Sequence, residues 1–221
     1  MDRLASRTYL ATCTLMALAA VASTGCHPGL LIATGVYLWE GGNFAPAECE
    51  ALNDQKVVVF CRQPAAQEFR HAGASRQIAE KVSNLLEINL TGAEIVPQRK
   101  VDEWIDTNDS DDFEELGKAV KADLVVYIDM AHFDLFAGAT VYQGNSDVTV
   151  SVYDMNDRGR LVWDKEMGEI LYPVHAPIAR QGKSVKTFQR EYVNVMADKI
   201  ARNFYPHDPN ADFAIDALAN R

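Results

Sequence analysis

The residues of this chain that could do chemistry are few and scattered. Asp129, His132 and Asp134 form a D-x-x-H-x-D cluster at the end of an apolar run, where carboxylates and an imidazole could hold an ion or move a proton. Polar residues at a strand terminus are ordinarily just solvated, which is the simpler reading of all three. The five histidines, at 27, 71, 132, 175 and 207, make no H-E-x-x-H or other tight ligand spacing, and no G-x-S-x-G nucleophile elbow occurs. Gly182-Lys183-Ser184 ends like a phosphate-binding loop, but the position of that loop's first glycine holds Pro177, which has no N–H to offer and a fixed φ. A helix N-cap at Ser184 explains the same residues. Asp109-Ser110-Asp111-Asp112 invites a calcium reading, yet Asp111 and Gly117 stand where an EF-hand loop needs Gly and Glu. Asp111 followed by Glu114 reads instead as a helix-opening capping box. No catalytic residue, metal ligand or cofactor is expected.

The cysteines are more informative. They stand at positions 13, 26, 49 and 61, with no C-x-x-C pair, so neither a zinc ribbon nor a thioredoxin-type site is indicated. Arg3 and Arg7 precede the apolar run Leu10–Ala22, and Ser23-Thr24-Gly25-Cys26 follows. That order matches a secretory signal peptide over residues 1–25, whose apolar part is well short of the roughly 20 residues a spanning helix needs. Its end resembles a bacterial lipoprotein signal, in which Cys26 would carry the lipid; Ser23 stands where Leu or Val is usual. The implied location is the cell envelope, with the chain membrane-anchored and facing the periplasm. Acyl chains at about 0.8 kcal/mol per buried methylene would make that anchoring effectively permanent. In an oxidising compartment Cys49 and Cys61 could also bridge, closing a 13-residue loop worth about 3 kcal/mol in chain-entropy models; two separate buried thiols are the alternative.

The rest of the chain must position whatever these residues do. It has 221 residues, 48% hydrophobic and 24% charged, with a net charge of -10. Those values fit one ordinary domain and exclude wholesale disorder or a polytopic membrane protein. Loss of residues 1–25 removes two Arg and one Asp, leaving 19 basic and 30 acidic residues, and an acidic surface disfavours nucleic-acid binding. Residues 26–50 form an N-terminal apolar segment and lead-in, of which Gly29–Trp39 is strongly apolar, unlike the usual polar tether. The domain is expected over 51–206. Lys56–Cys61 is a β-branched run suited to a strand buried on both faces. Ile78, Val82, Leu85 and Leu86 recur at helical spacing over 75–90, and Gly92 closes that helix. Ala93–Pro97 reads as a short strand and Val101–Asp106 as one or two helical turns. Leu124–Ile128 is a second apolar strand continuing towards Leu135, and 147–154 alternates, with Val148, Val150 and Val152 on one face. Asn156-Asp157-Arg158-Gly159 turns the chain into a strand from Leu161, and a long helix over 184–205 carries Val185, Phe188, Tyr192, Met196 and Ile200 on one face. A tail at 207–221 holds a short helix with Phe213 and Leu218. The expected class is α/β, a single-domain sandwich of a mixed β-sheet with helices packed on it, after an N-terminal signal peptide.

With the strand Val57-Val58-Val59-Phe60, the run Ala122–Tyr127, the hairpin Asp154–Trp163 and a closing helix, the chain after its lipobox resembles a family of envelope lipoproteins and related modules. That family includes the curli-secretion lipoprotein CsgG, the penicillin-binding-protein activator LpoB and the amino-terminal domain of TolB. The resemblance covers about residues 50–205 and implies an accessory, partner-binding role without catalysis, although fold does not fix function. The transmembrane hairpins of the CsgG pore have no counterpart that can be picked out. Leu135–Tyr142 is apolar and glycine-punctuated; it continues the sheet irregularly or forms an exposed hairpin tip whose Phe136 and Tyr142 contact a partner. The functional expectation is a lipid-anchored module that binds another envelope protein or itself. A ring-forming secretion component, or a ligand-binding or hydrolytic protein using the Asp129–His132–Asp134 region, is the alternative.

Overall fold

A computed structural model describes residues 44–64, 71, 73–108 and 112–209. The chain divides into two units, Met1–Phe44 and Ala45–Arg221, and the following concerns the second. Cys26, the apolar segment 29–39, Asp109–Asp111 and the tail helix with Phe213 and Leu218 lie outside the described residues.

The second unit is a mixed sheet with four helices. Along the chain run β1 (Lys56–Arg62), α1 (Ala74–Asn89), β2 (Glu94–Ile95), α2 (Gln98–Asn108), α3 (Phe113–Val120), β3 (Leu124–Phe136), β4 (Val141–Asp154), β5 (Arg160–Tyr172), β6 (Ile178–Ala179) and α4 (Val185–Ala201), which ends in a 3-10 turn over Arg202–Phe204. The sheet order is β2-β1-β3-β4-β5, with β6 pairing β4. β2, β1 and β3 are parallel, whereas β3, β4 and β5 form an antiparallel meander.

This topology follows from where apolar side chains stand. In β1 every residue from Val57 to Cys61 is buried, because helices cover both faces of the strand. Val57, Val59 and Cys61 join Val126, Ile128, Val148, Val150 and Val152 beneath α1 and α4. Val58, Phe60 and Val125 point the other way, into a smaller core with Val96, Val101 and Leu116. Each of these valines stabilises the fold by about 1.5–3 kcal/mol relative to exposure. The second core reaches β4 at Tyr153, whose ring stacks on Phe113 of α3 with centroids 4.2 Å apart.

Local signals set the helix ends, with some shifts. α2 is longer than the expected turns, because its apolar residues Val101, Trp104 and Ile105 stand in the middle of the helix and its first and last residues are polar. α3 is capped by Asp112 rather than Asp111. The Asp112 carboxylate accepts from the N–H groups of Glu114 (2.8 Å) and Glu115 (3.3 Å). Ser184 caps α4 as expected, its Oγ accepting from the Thr187 N–H at 3.1 Å. On α4, Phe188, Tyr192, Met196 and Ile200 are buried, but Val185 is exposed. Gly144 of β4 lets this helix approach closely, since a Cβ there would stand 2.4 Å from the Tyr192 ring. The Tyr192 hydroxyl donates to the Ile170 carbonyl at 2.7 Å, so one side chain ties α4 to both β4 and β5.

Candidate functional site

The long meander strands carry the polar residues picked out above. β1 accompanies β3 only as far as the Arg62–Asp129 pair, and β3 then runs on for seven residues with β4 alone. A register shift between Met130 and His132 interrupts the pairing, and His132 comes to stand opposite Asp147. Asp129 and His132 are exposed. Asp134 is half-buried and locally occupied, because its Oδ1 accepts from the N–H of Leu135 (2.7 Å) and of Phe136 (3.1 Å). The three residues are thus neighbours along an exposed strand. No group of three or more His, Cys, Asp or Glu among the described residues converges as an ion site.

Cys49 and Cys61 are two separate free thiols, both buried, so the bridge considered between them is not formed. Burial pushes both thiols above the ordinary range. For Cys61 the Asp129 carboxylate adds to the effect, and for Cys49 a hydrogen bond involving the Ala51 backbone opposes it. Such thiols are poor nucleophiles.

The hairpin between β3 and β4 is present, and its two aromatic residues take different places. Ala137, Gly138, Ala139 and Thr140 form an exposed tip. Phe136 is half-buried at its base, but Tyr142 is only 2% exposed. The Tyr142 ring stacks on Phe188 of α4, 4.9 Å between centroids and 11° between planes. Tyr142 is therefore a core residue, which corrects its reading as a partner contact. Arg180 closes the hairpin base, with its guanidinium 5.1 Å from the Phe136 centroid and 5.7 Å from that of Tyr142, donating at 2.7 Å to the Ala139 carbonyl.

Two further surfaces escape a residue-by-residue reading. On the side of the meander away from α4, the register aligns the rows Tyr127–Ser151–Asp164, Asp129–Thr149–Glu166 and His132–Asp147–Glu169. Asp129, Asp147, Asp164, Glu166 and Glu169 are all exposed there. Asp147 directly opposes Glu169, a like-charge pairing that weakens a sheet, and Asn145 Nδ2 donates to Glu169 Oε1 at 2.7 Å. Leu161, paired with Tyr153 on this side, is 46% exposed. In contrast, residues 170–190 contain four basic residues and no acidic one. Arg180 and Lys183 are engaged, the latter with Glu191 at 2.7 Å, whereas Lys186 and Arg190 are exposed one helical turn apart on α4. A groove of about 290 Å³ between α1 and α4 is lined by Lys81, Leu85, Ile88, Ala197 and Asp198 with two asparagines, and Ile88 is 78% exposed.

No family model matches the chain, and no curated protein matches it. Among solved structures, it is similar to the PelC dodecamer from Paraburkholderia phytofirmans, at 13% identity over 81% of this chain and 96% of that one, with a TM-score of 0.43. It is also similar to lipoprotein GNA1162 from Neisseria meningitidis, at 14% identity over 66% of this chain and 96% of that one, TM-score 0.39. A minor lipoprotein from Acinetobacter baumannii matches at 11% identity over 72% of this chain and 93% of that one, TM-score 0.30.

Proposed function

We propose that this protein is exported, acylated on Cys26 and held at the membrane of a bacterial cell envelope, where it acts without catalysis as an accessory module that presents the β3–β4 hairpin to a protein partner. The observation that carries this reading is the polarity of the domain. The Ala45 N–H donates to the His207 carbonyl at 2.8 Å, and the Glu48 and Cys49 N–H groups donate to the Asn203 carbonyl, so residues 45–49 lie past the C-terminal end of α4. The hairpin stands at the other end, where Tyr142 stacks on the first helical turn and the Arg180 N–H donates to the Thr140 carbonyl. Seventeen helical residues separate the two ends, about 25 Å at 1.5 Å per residue. The chain at residues 45–49 therefore lies at the end of the domain opposite its exposed tip. The lipobox-like Gly25-Cys26 and the family resemblance support the same reading. A hydrolytic role is disfavoured because the Asp134 carboxylate is committed to its own backbone.

The test combines fractionation with crosslinking. Cys26→Ala should abolish palmitate incorporation and move the protein out of the membrane fraction. A photo-crosslinker at Ala139 or Thr140 should give a discrete protein adduct in native membranes. Unchanged fractionation sinks the anchor, and the absence of an adduct sinks the role of the tip.

A further inference from the structure

We propose that residues 210–221 fold back as a short helix into the groove between α1 and α4 and latch the two helices together. The groove runs between two stripes at helical spacing, Lys81, Leu85 and Ile88 on α1 and Ala197 and Asp198 on α4, and Ile88 stands 78% exposed at its edge. The tail has a surface to match. In a helix over 211–220, Ala211, Ala214, Ile215 and Leu218 recur at i, i+3, i+4 and i+7, while Asp212, Asp216 and Asn220 fall together on the other side. The two alanines allow close approach, and Ile215 and Leu218 supply the ridge that enters the groove. So short a helix is marginal in water by itself and needs a packing surface. The chain leaves the domain beside the groove. Burial pushes the Tyr205 phenol up and the Asp198 carboxylate adds to the effect against Arg202, which sets Tyr205 within electrostatic range of the groove wall. His207, two residues on, pairs with Ala45, and residues 208–210 can then return about 10 Å before the helix begins. Charge sets no preference here. Lys81 stands on one wall and Asp198, paired with Arg202, on the other, with Glu80 and Glu87 of α1 outside the groove, so apolar burial carries the contact. A second copy is a poorer occupant, because a stable interface takes about 20–30 residues from each partner, whereas a covalently joined segment is present at millimolar effective concentration. Neither Cys26 nor the hairpin tip enters this inference, so it fails or stands apart from the proposed function.

The experiment is amide hydrogen exchange, read by mass spectrometry, on the full-length protein in mild detergent. Amides of residues 214–219 should exchange at least about tenfold more slowly than in an unstructured chain. Ile88→Asp, at an exposed position of the groove, should abolish that protection while circular dichroism shows the domain still folded. Leu218→Asp, in the tail itself, should do the same and decides the matter if Ile88→Asp fails to fold. A photo-crosslinker in place of Asn84, which is exposed on the α1 wall, should insert into residues 211–219 of the same chain. A tail that exchanges freely in the wild type overturns the proposal, as does protection that survives both substitutions. Insertion into a second copy, a lipid or another protein would overturn it too, by giving the groove a different occupant.

Discussion

Replacing Tyr142 with alanine separates a structural role from a binding one at the hairpin. The side chain is 2% exposed, stacks on Phe188 and lies beneath Arg180. Removing a ring of that size from a packed core costs about 3–5 kcal/mol through lost transfer energy and the cavity left behind. For a domain of this length each kcal/mol lowers Tm by about 2–4 °C, so Tyr142→Ala should unfold about 6–20 °C below the wild type. Phe136→Ala, which removes a half-buried ring, should cost only about 1–2 kcal/mol. Ala139→Asp and Thr140→Asp, on the exposed tip, should stay within about 0.5 kcal/mol of the wild type. Thermal and urea unfolding of all four, followed by far-ultraviolet circular dichroism, gives the ranking. A Tyr142→Ala variant within 1 kcal/mol of wild type would refute the assignment of this ring to the core. The ranking also decides how partner capture is read: its loss in Tyr142→Ala reports unfolding, whereas its loss in Ala139→Asp or Thr140→Asp reports contact.

Two further predictions follow from groups held in unusual environments. Cys49 and Cys61 should resist iodoacetamide in the folded protein at pH 8 and react on denaturation without reductant, because burial suppresses both thiolates; rapid native labelling, or a pair that stays blocked after denaturation, would contradict this. Asp123 accepts from the Lys56 N–H at 2.9 Å and from Asn156 Nδ2 at 3.1 Å, and chiefly the Lys56 N–H, helped by Asn156 and by the Lys56 charge against a small desolvation, holds its carboxyl below the usual range. A depressed folded value means stability that is present above the unfolded pKa of about 3.9 and lost as pH falls through the folded one. Asp123→Asn should therefore lower the urea midpoint at pH 7 and flatten its decline below about pH 4; an unchanged acid slope would show that the carboxylate contributes nothing.

What the chain reveals on sight divides along physical lines. β1 and β3 were legible because unbroken runs of Val suit strands covered on both faces, and β4 because its valines alternate. α1 and α4 were legible because their apolar residues recur at helical spacing over four turns. α2 was legible only in its middle, where Val101, Trp104 and Ile105 recur at helical spacing and pack into the second core; its polar ends, Gln98–Lys100 and Asp106–Asn108, continue no stripe. Tyr142 was misjudged for a related reason. It lies in a glycine-flanked segment whose own pattern ends at the tip, and its burial depends on Phe188 and Arg180, which arrive from some 40 residues away in sequence.

The acidic face could not be read in advance at all, and the cause is register. Asp129, Asp147, Glu166 and Glu169 are separated by up to 40 residues, and each alone is an ordinary solvated carboxylate. Only the shift after Met130, which sets His132 opposite Asp147, and the one after Val148, which sets Thr149 opposite Glu166, bring them into rows. Gly168 stands at the second shift with φ +64°, a conformation that glycine adopts without strain. Without that bulge the alternation of β5 would slip by one residue, and Asp164 and Glu166 would turn towards α4, into the core side of the sheet.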